Sequence, residues 1–280
     1  MRMHAPPVKT AALARGLEVH QPLKVRDGQL EAWLRGRAPD VALVAAYGRI
    51  LPTGVLGAPA HGCINLHASL LPAYRGSAPI QWALLDGQNE TGISLMKMDE
   101  GMDTGPVFAL RRHAIAPDTN AGQLTNELAE LAADVVRHEF LDALAGRLVP
   151  AAQDHARATA APPIERGQLG IDWRRPSRAI ANQIRAFAPA PGAYTRAAGK
   201  RLKIVSAREG KSASVGEPGE IIVGPSGVEV VCGEGTLELL RARAEGRSEQ
   251  SARDLVNGRV LTRGARLGGE PGTTELDEEA

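Results

Sequence analysis

The stretch that decides the reading is residues 62–105, GCINLHASLLPAYRGSAPIQWALLDGQNETGISLMKMDEGMDTG. Residues 62–67 read as a strand. Alternate side chains of a strand share a face, so Asn65 and His67 point the same way, with Cys63 on the same parity deeper in. A bend follows at Ser69, Leu70, Leu71 and Pro72, and then Tyr74, Arg75 and Gly76. Residues 91–98 form a second expected strand. Just past it, Asp103 sits in a loop bounded by Gly101 and Gly105. The expectation is that Asn65, His67 and Asp103 meet at the ends of these strands and form one active site.

Those three residue types suit one kind of chemistry. A carboxylate beside an imidazole sets its tautomer and orientation. An asparagine amide can donate to an oxygen that gains negative charge. No GxSxG elbow is present, and Cys63 reads as a packed thiol. His61 and His67 lack an HExxH context, no Cys/His cluster has ligand spacing, and no phosphate-cradling loop occurs, so no metal is expected. General acid–base transfer of an acyl-type group is the reading that remains. Arg75 is equally a ligand contact or a structural cap of its loop.

Outward from this block, residues 40–47 form a continuous apolar run, as in a strand covered on both faces of a parallel sheet. Before it come a short helix at 10–15, a short strand at 17–20 and a helix from Asp27 to about Arg37. After it come a single turn at 52–56, a helix at 79–86, strands at 91–98 and 106–115, and a long amphipathic helix from Asn120 to about Gly146. This alternation implies an α/β domain on a mostly parallel sheet, residues 1–148. Residues 149–164 are rich in Ala and Pro and read as a linker. A helix at 179–187 and five short, closely spaced strands follow, as in a small OB-like β-barrel over residues 165–267.

At 280 residues the chain can bury a substantial core, and its hydrophobic share is 43%. The two cysteines, Cys63 and Cys232, form no framework, and no long apolar run or leader pattern is seen; a cytoplasmic, monomeric enzyme is expected. Charge is uneven. Residues 165–267 carry 18 basic and 11 acidic side chains, a net of +7 that points to an anionic partner. Residues 268–280 carry 5 acidic and no basic side chains and read as a disordered tail.

HASLLPAYRGSAPIQWALLDGQNETGISLMKMDEGMDTG (67–105) closely resembles the methionyl-tRNA formyltransferases, within the wider formyltetrahydrofolate-dependent transferases. The likeness extends to PPVKTAALARGLEVHQP (6–22), VAAYGRILP (44–52) and IDWRRPSRAIANQIRAFAPAPGAY (171–194), and fades near SARDLVNGRVL (251–261). It implies a Rossmann-like catalytic domain and a second, tRNA-binding domain. It places the catalytic Asn, His and Asp on Asn65, His67 and Asp103, and a tetrahydrofolate-binding loop on Ser69, Leu70, Leu71 and Pro72. The implied reaction passes the formyl group of 10-formyltetrahydrofolate to the methionyl amine of initiator tRNA.

Two rivals stand beside it: a sugar-nucleotide formyltransferase, and a tRNA-binding protein inactivated by truncation. The second arises because the family opens with a βαβ unit, about 30 residues by its usual size, and a basic loop, and Met1 aligns inside that loop. The expectation is an N-terminally truncated domain, from an internal Met taken as a start or from a real short form, with exposed strand edges.

Overall fold

The computed structural model describes residues 5–212, 215–225 and 227–268. The expected acidic tail therefore lies, beyond Gly268, outside the described residues. The first half runs α1 (Pro7–Ala14), α2 (Gln29–Arg37), β1 (Ala42–Ala45), α3 (Thr53–Leu56), β2 (Cys63–His67), α4 (Pro79–Leu85), β3 (Glu90–Lys97) and β4 (Val107–Ala114). It closes with α5 (Ala121–Val135), which passes through a π turn (Val136–Phe140) into α6 (Leu141–Leu144). A capping box starts α5: the Asn120 side chain accepts from the Gln123 amide, and the Gln123 side chain accepts from the Asn120 amide, both at 3.0 Å.

The four strands lie in the order β1-β2-β3-β4. Only β1–β2 is parallel; β2–β3 and β3–β4 are antiparallel. The expectation of a mostly parallel sheet is thus corrected. The connection after β2 includes only a seven-residue helix, about 10 Å long. The chain re-enters the sheet at the end where β2 left it, so that Ser94 pairs with His67. β1 also differs from expectation. Among the described residues it pairs only with β2, and it is half-buried and exposed by turns rather than covered on both faces. Leu43 is 39% exposed, and Val8, Leu13, Leu17 and Tyr47 are exposed too. Residues 17–20 form no strand, because no neighbour pairs with them; His20 stacks on Trp33 instead, ring centroids 4.6 Å apart.

The second half holds α7 (Ser177–Phe187), β5 (Tyr194–Ala197), β6 (Lys200–Glu209), β7 (Ile221–Gly224), β8 (Gly227–Val231), β9 (Thr236–Ala244), β10 (Gln250–Ser251) and α8 (Ala252–Asn257). These strands pair with one another antiparallel, in the path β5-β6-β9-β8-β7 with β10 beside β9. The small β-rich unit is as expected in strand number and spacing, but its path stays open: among the described residues no ladder joins β5 to β7. Register shifts around Ser206 interrupt the β6–β9 ladder.

One apolar core runs through both halves. Leu84, Leu95 and Leu124 from the first and Ile180, Phe187, Leu202 and Leu237 from the second are buried within it. A second, smaller core of Val25, Leu30, Leu51, Val55, Leu56 and Cys63 lies on the other face of β2. Among the described residues no helix is long and apolar enough to cross a membrane.

Candidate active site

Strand alternation sorts β2 between the two cores. Ile64 faces the main core, and Cys63 the smaller one. Cys63 is 2% exposed, its thiol directed at the Val55 carbonyl and its pKa raised by burial, so it is a packing residue. Asn65 and His67 continue the Cys63 face past the edge of that core and emerge on the wall of a cleft of ≈ 480 Å³. Asp103 joins them there from the loop after β3. Val44, residues 46–51 and residues 98–102 line the same cleft.

The geometry assigns work to each nitrogen of His67. Nε2 lies 2.8 Å from the Tyr74 carbonyl oxygen. A carbonyl can only accept, so Nε2 carries the proton there. Nδ1 faces Asp103 Oδ2 at 3.6 Å and is the nitrogen left to exchange a proton. Side-chain exposures of 6% and 15% keep the pair largely out of water, where a fixed charge acts more strongly. The Gly76 amide donates to the same Asp103 Oδ2 at 2.9 Å. Among the described residues nothing hydrogen-bonds to the Asn65 side-chain amide, so its donors are free for a ligand.

Two loops hold these groups in uncommon backbone shapes. Asp103 and Tyr74 both have left-handed φ, +54° and +59°. The Asp103 loop is closed by Asp99 Oδ1, which accepts from the Gly101 amide at 3.1 Å and the Thr104 hydroxyl at 2.6 Å. Gly105 ends it where a Cβ would lie 1.9 Å from the Lys97 carbonyl oxygen, so no other residue fits.

The loop expected to bind folate leaves β2 directly after His67 and Ala68, which line the cleft, and its Leu70 and Pro72 are partly exposed. Ser69 is fully buried, and its hydroxyl donates to the Ala73 carbonyl at 2.6 Å. Ser94 Oγ donates to the Ser69 carbonyl at 2.6 Å and accepts from the Leu71 amide at 3.0 Å. The bend therefore shapes the Tyr74 turn that holds His67.

Residues 149–164, read as a linker, cross the back of the site. Val107 and Ala151 exchange backbone hydrogen bonds at 2.8 and 2.9 Å. The Arg75 amide donates to the Thr159 carbonyl at 2.8 Å, and the Ala161 amide to the Arg75 carbonyl at 2.6 Å. Arg75 points into this strap, its Nη2 2.6 Å from Gln153 Oε1. The choice left open for Arg75 is thereby made toward the loop-holding role. Gln153 and Thr159 carried no signal in the sequence, because an Ala/Pro-rich stretch gives no periodicity to read.

A buried imidazole–carboxylate pair beside an uncommitted amide is equipment for general acid–base catalysis of a group transfer. The chain belongs to the formyl transferase family: residues 1–138 match the formyl transferase family model, and residues 163–260 the model of the formyl transferase C-terminal domain. It is 50% identical over 271 residues to a methionyl-tRNA formyltransferase of Sorangium cellulosum, covering 96% of this chain and 87% of that protein. Among solved structures it is similar to a methionyl-tRNA formyltransferase from Clostridium thermocellum (TM-score 0.53, 24% identity, 75% of this chain and 86% of that one). It is also similar in fold to HypX from Aquifex aeolicus in complex with tetrahydrofolic acid (TM-score 0.65, 19% identity, 94% of this chain and 46% of that one).

Proposed function

We propose that this formyltransferase moves the formyl group of 10-formyltetrahydrofolate to the amino group of methionine on initiator tRNA. The observation that carries the reading is the convergence of Asn65, His67 and Asp103 on one cleft wall. Its volume is in the range of small-ligand sites. Its apolar lining by Val44, Ile50, Leu51, Met98 and Met102 suits a flat heterocycle, so the residues present fit a folate. Bound folate supplies the formyl group on its N10 nitrogen. Ser69, Leu70, Leu71 and Pro72, which lead from His67 to the turn that carries Tyr74, form the loop read as holding the folate.

The residue roles follow from the geometry. Attack by the amine forms a new C–N bond, and the old bond to N10 breaks. The formyl oxygen gains negative charge meanwhile, and the Asn65 amide is placed to stabilise it, joined by His67 once Nδ1 has taken the proton of the amine. The amine loses a proton and N10 gains one. His67 Nδ1, with Asp103 opposite, is the group positioned to move it, directly or through one water.

Residues 165–267 supply the RNA contact in this reading. Tyr194, Lys203 and Arg243 are successive cross-strand neighbours on β5, β6 and β9, and Arg196 faces Arg201 in the adjoining row. Burial first, and then the Arg243 and Arg201 charges, push the Lys203 pKa down. Like charges set opposite one another destabilise a sheet, and backbone phosphates would relieve them. Side-by-side assay of methionyl-tRNA and an amino-sugar nucleotide with 10-formyltetrahydrofolate tests the proposal. Transfer to methionyl-tRNA alone is expected. Transfer only to the sugar nucleotide, or tRNA binding without any transfer, would overturn it.

A further inference from the structure

We infer that Gln153, in the strap behind the site, is a positioning residue that sets the Asp103 loop against the His67 turn; this rests on the formyl-transfer reading above.

Gln153 is 9% exposed and spends its whole hydrogen-bonding capacity on two other segments. Its Nε2 donates to the carbonyls of Asp103 at 2.8 Å and Gly105 at 2.7 Å. Its Oε1 accepts from Arg75 Nη2 at 2.6 Å and Nε at 3.2 Å. The orientation of the amide is dictated by its neighbours, since carbonyls only accept and a guanidinium only donates. An amide is the group that satisfies both sides at once. A carboxylate would face two carbonyl oxygens, and an alkyl group would leave both carbonyls and Arg75 Nε unpaired, with Arg75 Nη2 keeping only His155 Nδ1 at 3.1 Å.

The segments it joins are the two that hold the catalytic pair. Asp103 carries the carboxylate. Arg75 lies between Tyr74, whose carbonyl holds His67 Nε2, and Gly76, whose amide holds Asp103 Oδ2. A second tie runs in parallel: the Tyr74 amide donates to Thr159 Oγ1, from the same strap, at 2.9 Å. The left-handed backbone at both Asp103 and Tyr74 is an uncommon shape that needs such fixing. Without Gln153 the Asp103 carbonyl is free to turn, and the carboxylate leaves its place opposite Nδ1.

The test is a double-mutant cycle on the full chain, with formyl transfer to methionyl-tRNA as readout. Q153L is expected to lower kcat about 10- to 100-fold, as a displacement of about 1 Å does, with KM for both substrates within about threefold. In a D103N background the same change is expected to cost less than about threefold, because the two residues act as one unit. If Q153L does not give a cooperative thermal melt, Q153M, which keeps the length of the side chain and adds no charge, carries the same cycle. Unchanged kcat, or an equal loss with and without the Asp103 carboxylate, would overturn the inference while leaving the proposed function standing. Absence of transfer by the unsubstituted chain would overturn both.

Discussion

Gly76 donates its amide to Asp103 Oδ2 at 2.9 Å, and that same oxygen is the one facing His67 Nδ1. The turn after β2 and the loop after β3 are therefore locked at the carboxylate. Gly76 has φ +124°, and a Cβ there would lie 2.6 Å from the Ala161 carbonyl oxygen. Gly76→Ala is expected to destabilise the protein by about 1–3 kcal/mol through this strain, and to lower kcat as well. Urea unfolding and single-turnover transfer check the pair of effects; an unchanged unfolding midpoint would sink the strain argument.

His67→Ala removes the group placed to move the proton. A loss of about 10²- to 10⁴-fold in kcat is expected, with the circular dichroism spectrum retained. Formyl transfer at the unsubstituted rate would remove His67 from the mechanism.

Asn65→Ala deletes an uncommitted donor on the cleft wall. Loss of one such donor costs about 10²- to 10³-fold in kcat, and KM for either substrate should change little. A rise in KM with constant kcat would instead make Asn65 a ground-state contact.

In the proposed RNA contact, Arg201 and Arg243 meet backbone phosphates. The affinity of the unsubstituted chain should fall steeply with salt, and each of Arg201→Ala and Arg243→Ala should reduce the slope of log K against log salt by about 1. Filter binding at several salt concentrations reads this. Slopes equal to that of the unsubstituted chain would place the RNA elsewhere.

Tyr74 sets an alkaline limit. Burial, and then the hydrogen bond and charge of Asp86, raise its pKa to about 12 from an ordinary 10. The folded chain therefore holds this proton where the unfolded chain has released it. The contribution is complete below pH 10 and is lost as pH rises toward about 12. Tyr74→Phe should flatten that part of the stability curve, measured as the difference in unfolding midpoint between the two proteins across this window. Parallel curves would contradict the assignment.

Much of the site was legible in linear order. Asn65 and His67 are two apart on a strand, and strand geometry alone puts them side by side. Asp103 was found because its loop follows the neighbouring strand and its flanking glycines mark a turn. The elements with strong local pattern, such as α4 with its proline start, α5 with its Asn120 cap and β8, fell where periodicity put them. Strand direction did not, because whether β2 and β3 run parallel depends on where the chain re-enters the sheet.

Residue types and motifs in the chain set the chemistry on offer: an amide, an imidazole and a carboxylate brought to one place, a basic second half, and membership of a family through motifs that span both halves. How these groups are held emerges from long-range contacts. Arg75 points into the strap, and the stretch that reads as a linker fastens the Asp103 loop through Gln153. The reason is physical. Residue type and spacing fix what a side chain can donate or accept, but hydrogen bonds between segments 50 or 78 residues apart, as Gln153 makes to Asp103 and Arg75, leave no periodic trace in the chain.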